Sequence, residues 1–199
     1  MDMLQSLALA GGMAWASGMR LYAALFAAGL LGRLGYLHLP SGLQALENPW
    51  VLGITAILLL VEFLADKIPI VDSVWDSVQT FIRIPAGALL AALALGDHDP
   101  VLMVVAGLLG GTLTAGTHAL KAGSRALINT SPEPFSNIAT SLREDALVPT
   151  GLAIAVFHPL LFLILLGFFV LLLIWLLPKI FRGARSILGG IFGRKRGST

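Results

Sequence analysis

From Ala146 to Pro178 no Asp, Glu, Lys or Arg interrupts the chain. Shorter uncharged runs cover Met3 to Met19, Leu21 to Gly32, Val51 to Val61, Ile84 to Gly96 and Val101 to Leu120. A helix needs about 20 apolar residues to cross the hydrocarbon core of a bilayer. Several of these runs fall short of that, so their crossings must continue through charged positions, and charges at membrane depth must find partners. With 57% hydrophobic and 12% charged residues and a mean hydropathy of +0.88, a soluble globular fold is excluded. The chain has no cysteine, which removes disulfides, thiolate metal sites and cysteine nucleophiles.

These runs predict an all-α polytopic membrane protein of about six spans, at 3–33, 50–67, 71–96, 101–125, 134–158 and 159–178. The N-terminus has no basic n-region and reads as a first membrane segment, not a signal peptide. The spans 71–96 and 134–158 are entered by polar residues, and broken or re-entrant backbone is expected there. Six of the 13 basic residues (Lys179, Arg182, Arg185, Arg194, Lys195, Arg196) follow Pro178, whereas 34–49 and 97–100 contain no Lys or Arg. Cytoplasmic loops carry the excess of Lys and Arg. The expectation is a bacterial inner-membrane protein with both termini cytoplasmic: a transmembrane domain over 1–178 and a basic amphipathic tail over 179–199. The tail suits anionic lipid better than nucleic acid.

One internal repeat aligns residues 10–20 with 115–125, sharing Ala, Gly, Ala, Gly and the closing Arg (Arg20 and Arg125). Read with the predicted spans, the two copies would run in opposite directions, an inverted 3+3 arrangement of 3–96 and 101–178.

Three polar constellations interrupt the apolar background. Glu62 and Asp66 stand one helical turn apart, followed by a stripe of Asp72, Asp76, Thr80 and Arg83 on one helix face. His118, Lys121 and Arg125 share a face near the end of the fourth span. Asn137, Ser141 and Glu144 share another, with Asp145 beside it. Each has a bland reading: buried pairs tying helices together, Lys121 snorkelling to the headgroups, and a solvated loop with Asn137 as a helix cap. The second constellation contains Arg125, which like its repeat counterpart Arg20 lies among small residues, and the two suit a carboxylate or phosphate held in bidentate fashion.

The segment Glu62-Phe63-Leu64-Ala65-Asp66-Lys67-Ile68-Pro69 with Asp72, Asp76, Arg83 and Pro85-Ala86-Gly87-Ala88 is one half of a wider pattern. Its other half is His118, Lys121 and Arg125, then Asn137 with Ser141-Leu142-Arg143-Glu144-Asp145. Together they resemble the bacterial integral membrane proteins catalogued as domain of unknown function 4126, over about residues 5–178. The resemblance implies family membership and no activity.

The favoured function is a small inner-membrane transporter or lipid translocase moving a small anionic or lipid-linked substrate. Arg20, Lys121, Arg125 and Asn137 would bind it. Glu62, Asp66, Asp72, Asp76, His118, Glu144 and Asp145 would exchange protons or cations, with Asp72 and Arg83 as a structural ion pair. No cofactor is implied, membrane lipid is the expected partner, and a homo-oligomer stays open. A Mg²⁺-dependent transferase acting on a diphosphate lipid is the enzyme alternative, on the spacing Asp72-x-x-x-Asp76 with Asp66 upstream. A non-catalytic membrane scaffold is the third.

Overall fold

Prolines punctuate the chain, and the helices begin on them. Proline at the first helical position sacrifices only an N–H that would be unpaired anyway. The computed structural model describes the backbone of residues 2–128 and 134–193, without the side chains of 69, 70, 73, 126, 127, 134–137 and 183–193. Its helices are α1 (Met3–Arg33), a short 3₁₀ helix (Ser41–Glu47), α2 (Pro49–Ala65), α3 (Pro69–Ala94), α4 (Pro100–Ile128), α5 (Pro134–Phe157) and α6 (Pro159–Gly193). Each of α2 to α6 opens on a proline. At α1 the start is set by a capping box, in which the Asp2 side chain accepts from the Gln5 backbone N–H and the Gln5 side chain accepts from that of Asp2.

Among the described residues there is no strand. Four helices are long and apolar enough to cross a membrane (Met3–Arg33, Val74–Ala94, Pro100–Arg125 and Pro159–Arg182), and the 3₁₀ helix with α2, bent by 71°, makes a fifth candidate.

Length alone misdescribes α1. Backbone geometry leaves the helical range at Arg20 (φ −147°, ψ 89°). From Gln5 to Arg33 a straight helix would extend about 42 Å, twenty-eight steps of about 1.5 Å. Instead Gln5 lines one cavity together with Tyr36, Leu37 and His38. Ser6 Oγ lies 3.0 Å from His98 Nε2, and Arg33 donates to the Glu47 carbonyl at 3.2 Å. The helix therefore folds back on itself, with arms 3–19 and 21–33 meeting at Arg20, and both ends of the pair lie beside the 34–48 and 95–99 segments. Ser41 joins those two segments by donating its backbone N–H and its Oγ (2.8 Å) to Asp97, bonds that hold the Asp97 carboxyl below its ordinary pKa.

The neighbours of α1 fix the direction of every other helix. Along the first arm, Ala14 O accepts from Thr114 Oγ1 (2.8 Å) and Met19 O accepts from Lys121 Nζ (3.3 Å), so this arm and α4 run the same way. Close approach is possible because Gly18 lacks a side chain: a Cβ there would come within 2.6 Å of the Thr114 carbonyl. On the other side Trp15 lies over Gly151 of α5 and meets Phe162 and Phe169 of α6 edge-on, both at 6.3 Å between centroids. The result is a bundle with a loop end (34–48, 95–99, the start of α1) and a charged end where Arg20 turns.

Four expectations change. The span 3–33 is not one outward crossing, so the start of α1 and the C-terminal part of α6 lie at opposite ends of the bundle, not on one side. The repeat copies 10–20 and 115–125 run side by side in the same direction, which removes the inverted arrangement of 3–96 and 101–178. The broken segment is α1, while α3 and α5 continue through Pro85 and Pro149. Finally, α6 continues through Pro178 to Gly193, so the tail's first part extends the last helix. Of the tail's basic side chains, Lys179 rests on the Trp175 ring and Arg182 donates to the Pro178 carbonyl. The lipid-binding expectation for Arg185, Arg194, Lys195 and Arg196 lies outside the described residues.

The cysteine-free chain makes sidedness directly measurable. Single cysteines placed at Asp2 and at Gln44 should react with an impermeant maleimide from the same side of the membrane, and one at Arg182 from the other. Opposite labelling of 2 and 44 would mean that α1 crosses as a single span.

Candidate functional site

Breaking a helix at membrane depth frees carbonyls and N–H groups that must be satisfied within the protein. At Arg20 the structure meets that demand with charge. The end of the first arm, the negative pole of its dipole, receives the Lys121 ammonium on the Met19 carbonyl. Arg20, wholly buried, reaches Asp66 Oδ2 at 2.7 Å and Asp145 Oδ1 at 3.0 Å, and donates to Ser141 Oγ at 3.1 Å. Lys67 continues the group at its rim, 3.6 Å from Asp145 and seated on the Phe63 ring.

Deeper in the bundle Arg83 is the second centre. It donates to Glu62 Oε1 at 2.6 Å and to Asp76 Oδ1 at 2.7 Å, with all three side chains buried. Lys121 links the two centres, 3.3 Å from Asp76, 3.5 Å from Asp66 and 3.7 Å from Glu144. Arg125 lies 3.1 Å from Glu144 and 3.9 Å from Asp72. Thr80 donates its hydroxyl to the Asp76 carbonyl and lies 2.6 Å from His118 Nε2, while His118 Nδ1 faces Arg83 Nη1 at 3.4 Å.

The sequence-predicted candidates therefore converge: Arg20, Glu62, Asp66, Asp72, Asp76, His118, Lys121, Arg125, Glu144 and Asp145 form one continuous network contributed by α1 to α5. Asn137 lies outside the described side chains. Two expectations do not survive. Asp72 and Arg83 do not pair; the arginine takes Asp76 and Glu62. Eleven residues place 72 and 83 on the same face but about 16 Å apart along the axis, whereas 76 and 83 are two turns apart, within reach of an extended guanidinium. Nor do Arg20 and Arg125 make an open anion cradle, because Asp66 and Asp145 engage Arg20 and Glu144 engages Arg125.

The oxygens of Asp66, Asp72 and Asp76 come within 4.8 Å of one another, a spacing that a cation could bridge. The Lys121 ammonium already lies 3.5 Å from Asp66 and 3.3 Å from Asp76, so two of the three carboxylates have a cation from the chain itself and the trio is not read as a metal centre.

Two cavities flank the network. A polar vestibule of about 220 Å³ is bounded by Asp72, Asp76, Ser77, Thr80, His118 and Arg125. A larger cavity of about 460 Å³ lies between α1, α4, α5 and α6. Its walls are apolar, with Trp15, Leu166, Phe169 and Leu172 among them, and at one end it meets Lys121, Arg143 and Glu144. Arg143 is exposed and, among the described residues, makes no ion pair. Sequence reasoning passed over Arg143, whose charge sits in a run with Glu144 and Asp145 that reads as a solvated surface.

The family described as Domain of unknown function (DUF4126) matches residues 7–179. The chain belongs to this family. Its matched region takes in all of the described network and, but for Ile180, the lining of both cavities. No curated protein and no solved structure matches the chain.

The Arg83 centre can be tested by its energetics. Removing one member of a buried pair strands its partner, at a cost of about 3–5 kcal/mol. Arg83→Gln should sharply lower thermal stability in detergent, and adding Glu62→Gln should recover part of the loss. Asp72→Asn combined with Arg83→Gln should recover nothing. Equal rescue by either second change would contradict the pairing.

Proposed function

We propose that the protein is a small inner-membrane lipid translocase, or a transporter of a similar amphiphile, that moves an anionic substrate coupled to protons or cations. The observation that carries this reading is the cavity between α1, α4, α5 and α6. Its size falls in the range of about 300–1,000 Å³ common for ligand sites. Apolar walls ending in charged groups suit a molecule with an acyl chain and an ionic head. Arg143 and Lys121 supply positive charge at that end, and Lys121 belongs at the same time to the buried network. Substrate contact thus falls to the exposed Arg143, while Arg20, Lys121 and Arg125, each already engaged by acids, hold the scaffold that places it.

Orientation follows from charge. Lys67, Lys121, Arg125, Arg143, Lys179 and Arg182 gather at the charged end, against Arg33 at the loop end. By the excess of Lys and Arg on cytoplasmic segments, the charged end faces the cytoplasm. In this arrangement α2 to α6 each run between the two ends of the bundle, and α1 enters and returns from the outer side, its arms meeting at the buried Arg20.

The full chain reconstituted in vesicles, with a trace of fluorescent phosphatidylglycerol in both leaflets, tests the function. External dithionite should bleach the label beyond the outer-leaflet half. A charge-assisted contact is worth about 1.5–3 kcal/mol, so Arg143→Glu should slow the inner-leaflet phase about tenfold or more. Bleaching that stops at half, as in empty vesicles, would overturn the translocase reading and leave the scaffold reading in its place.

A further inference from the structure

Within the network five cations (Arg20, Lys67, Arg83, Lys121, Arg125) face six acids (Glu62, Asp66, Asp72, Asp76, Glu144, Asp145), one negative charge in excess among the described residues. Five of the acids have a cation within 3.1 Å. Glu62 has Arg83 at 2.6 Å, Asp66 has Arg20 at 2.7 Å, Asp76 has Arg83 at 2.7 Å, Asp145 has Arg20 at 3.0 Å and Glu144 has Arg125 at 3.1 Å. Asp72 is the exception. Its nearest cation is Arg125 at 3.9 Å, and neither carboxylate oxygen has a hydrogen-bond partner among the described residues. Only 1% of the residue is exposed, yet it borders the polar vestibule.

We propose that Asp72 is the single proton-exchange site of the coupled cycle, and that it signals to the amphiphile cavity through Arg125 and Glu144. The arrangement with Arg125 on Glu144 is the one in which Asp72 carries a proton, which balances the network's remaining five acids against its five cations. A carboxylate Oδ takes it from a hydronium ion in the vestibule, forming one O–H bond and leaving a water. Uncharged, Asp72 does not compete for Arg125, which stays with Glu144. When Asp72 gives its proton back to vestibule water, the carboxylate attracts Arg125 and weakens its hold on Glu144. Glu144 lines the larger cavity, so the proton on one side sets the charge balance on the other.

The groups facing Asp72 fit this role. On α4 these are Arg125, Lys121 and His118; Asp76 lies one turn on along α3; Asp66 follows the end of α2, and Glu144 of α5 stands behind Arg125. Asp66 and Asp76 disfavour a second charge beside them, and Arg125 favours it, which makes the site responsive to where Arg125 points.

This inference rests on the proposed transport function, but its test does not require transport. Infrared difference spectra of the full chain in phosphatidylglycerol vesicles, stepped from acid to alkaline pH, should lose the C=O band of a protonated carboxylic acid. That band should be absent in Asp72→Asn, which mimics the protonated state and should keep the wild-type melting temperature. In Glu144→Gln, Arg125 is released towards Asp72, and the midpoint of the band should fall by about one to three pH units. A wild-type spectrum without the band, its persistence in Asp72→Asn, or an unmoved midpoint in Glu144→Gln would each overturn the proposal. Failed lipid movement with these spectra intact would count against the translocase reading alone.

Discussion

A guanidinium at membrane depth without a partner is too costly to persist, and the fold is organised around that cost at Arg20. Its partners, Asp66 and Asp145, come from helices far along the chain, and Lys121 caps the carbonyl that the broken helix exposes. Once that junction is made, the arms of α1 must return to the loop end, and α4 and α5 must run beside the first arm. Small side chains make this geometry available: Gly18 admits the α4 backbone, and Gly87 of α3 lies against Thr114 of α4. A charge, not an apolar surface, thus sets the topology of the bundle's centre.

The same arrangement divides the charged residues by task. Arg83 with Glu62 is sealed, and its short contacts to Glu62 and to Asp76 at the vestibule wall hold α2 against α3. Lys121, Arg125, Asp72 and Glu144 are more loosely spaced, at 3.1 to 3.9 Å, and lie between the vestibule and the apolar cavity. Loose spacing between two accessible volumes is what an exchangeable network needs, whereas the sealed centre only has to stay intact.

Most helix boundaries were legible. Prolines at 49, 69, 100, 134 and 159, set against the uncharged runs, place the starts of α2 to α6 and the ends of α2 to α5 within a few residues, whereas α6 runs on past Pro178 to Gly193. The clustering of the polar candidates was legible too, because buried charges must meet. The break at Arg20 was not: no proline marks it, Gly18 alone is weak punctuation in so small-residue-rich a segment, and the acids that hold it lie 46 and 125 positions away. Without the break, the repeat ending in Arg20 and Arg125 reads as inverted when its copies are parallel. The Asp72–Arg83 pairing failed for a different reason. Helical periodicity reports which side a residue faces, and says nothing of whether two side chains on that side can touch.

The account depends on α1 turning back at the buried charge cluster. Spin labels at Gln5→Cys and Tyr36→Cys, in a chain with no other cysteine, report that directly through their dipolar coupling in vesicles. Because the two positions border one cavity, the distance should be well short of the about 42 Å that a straight α1 would impose. A distance at or beyond that length would contradict the reversal, and with it the role of Arg20 as the junction of the bundle.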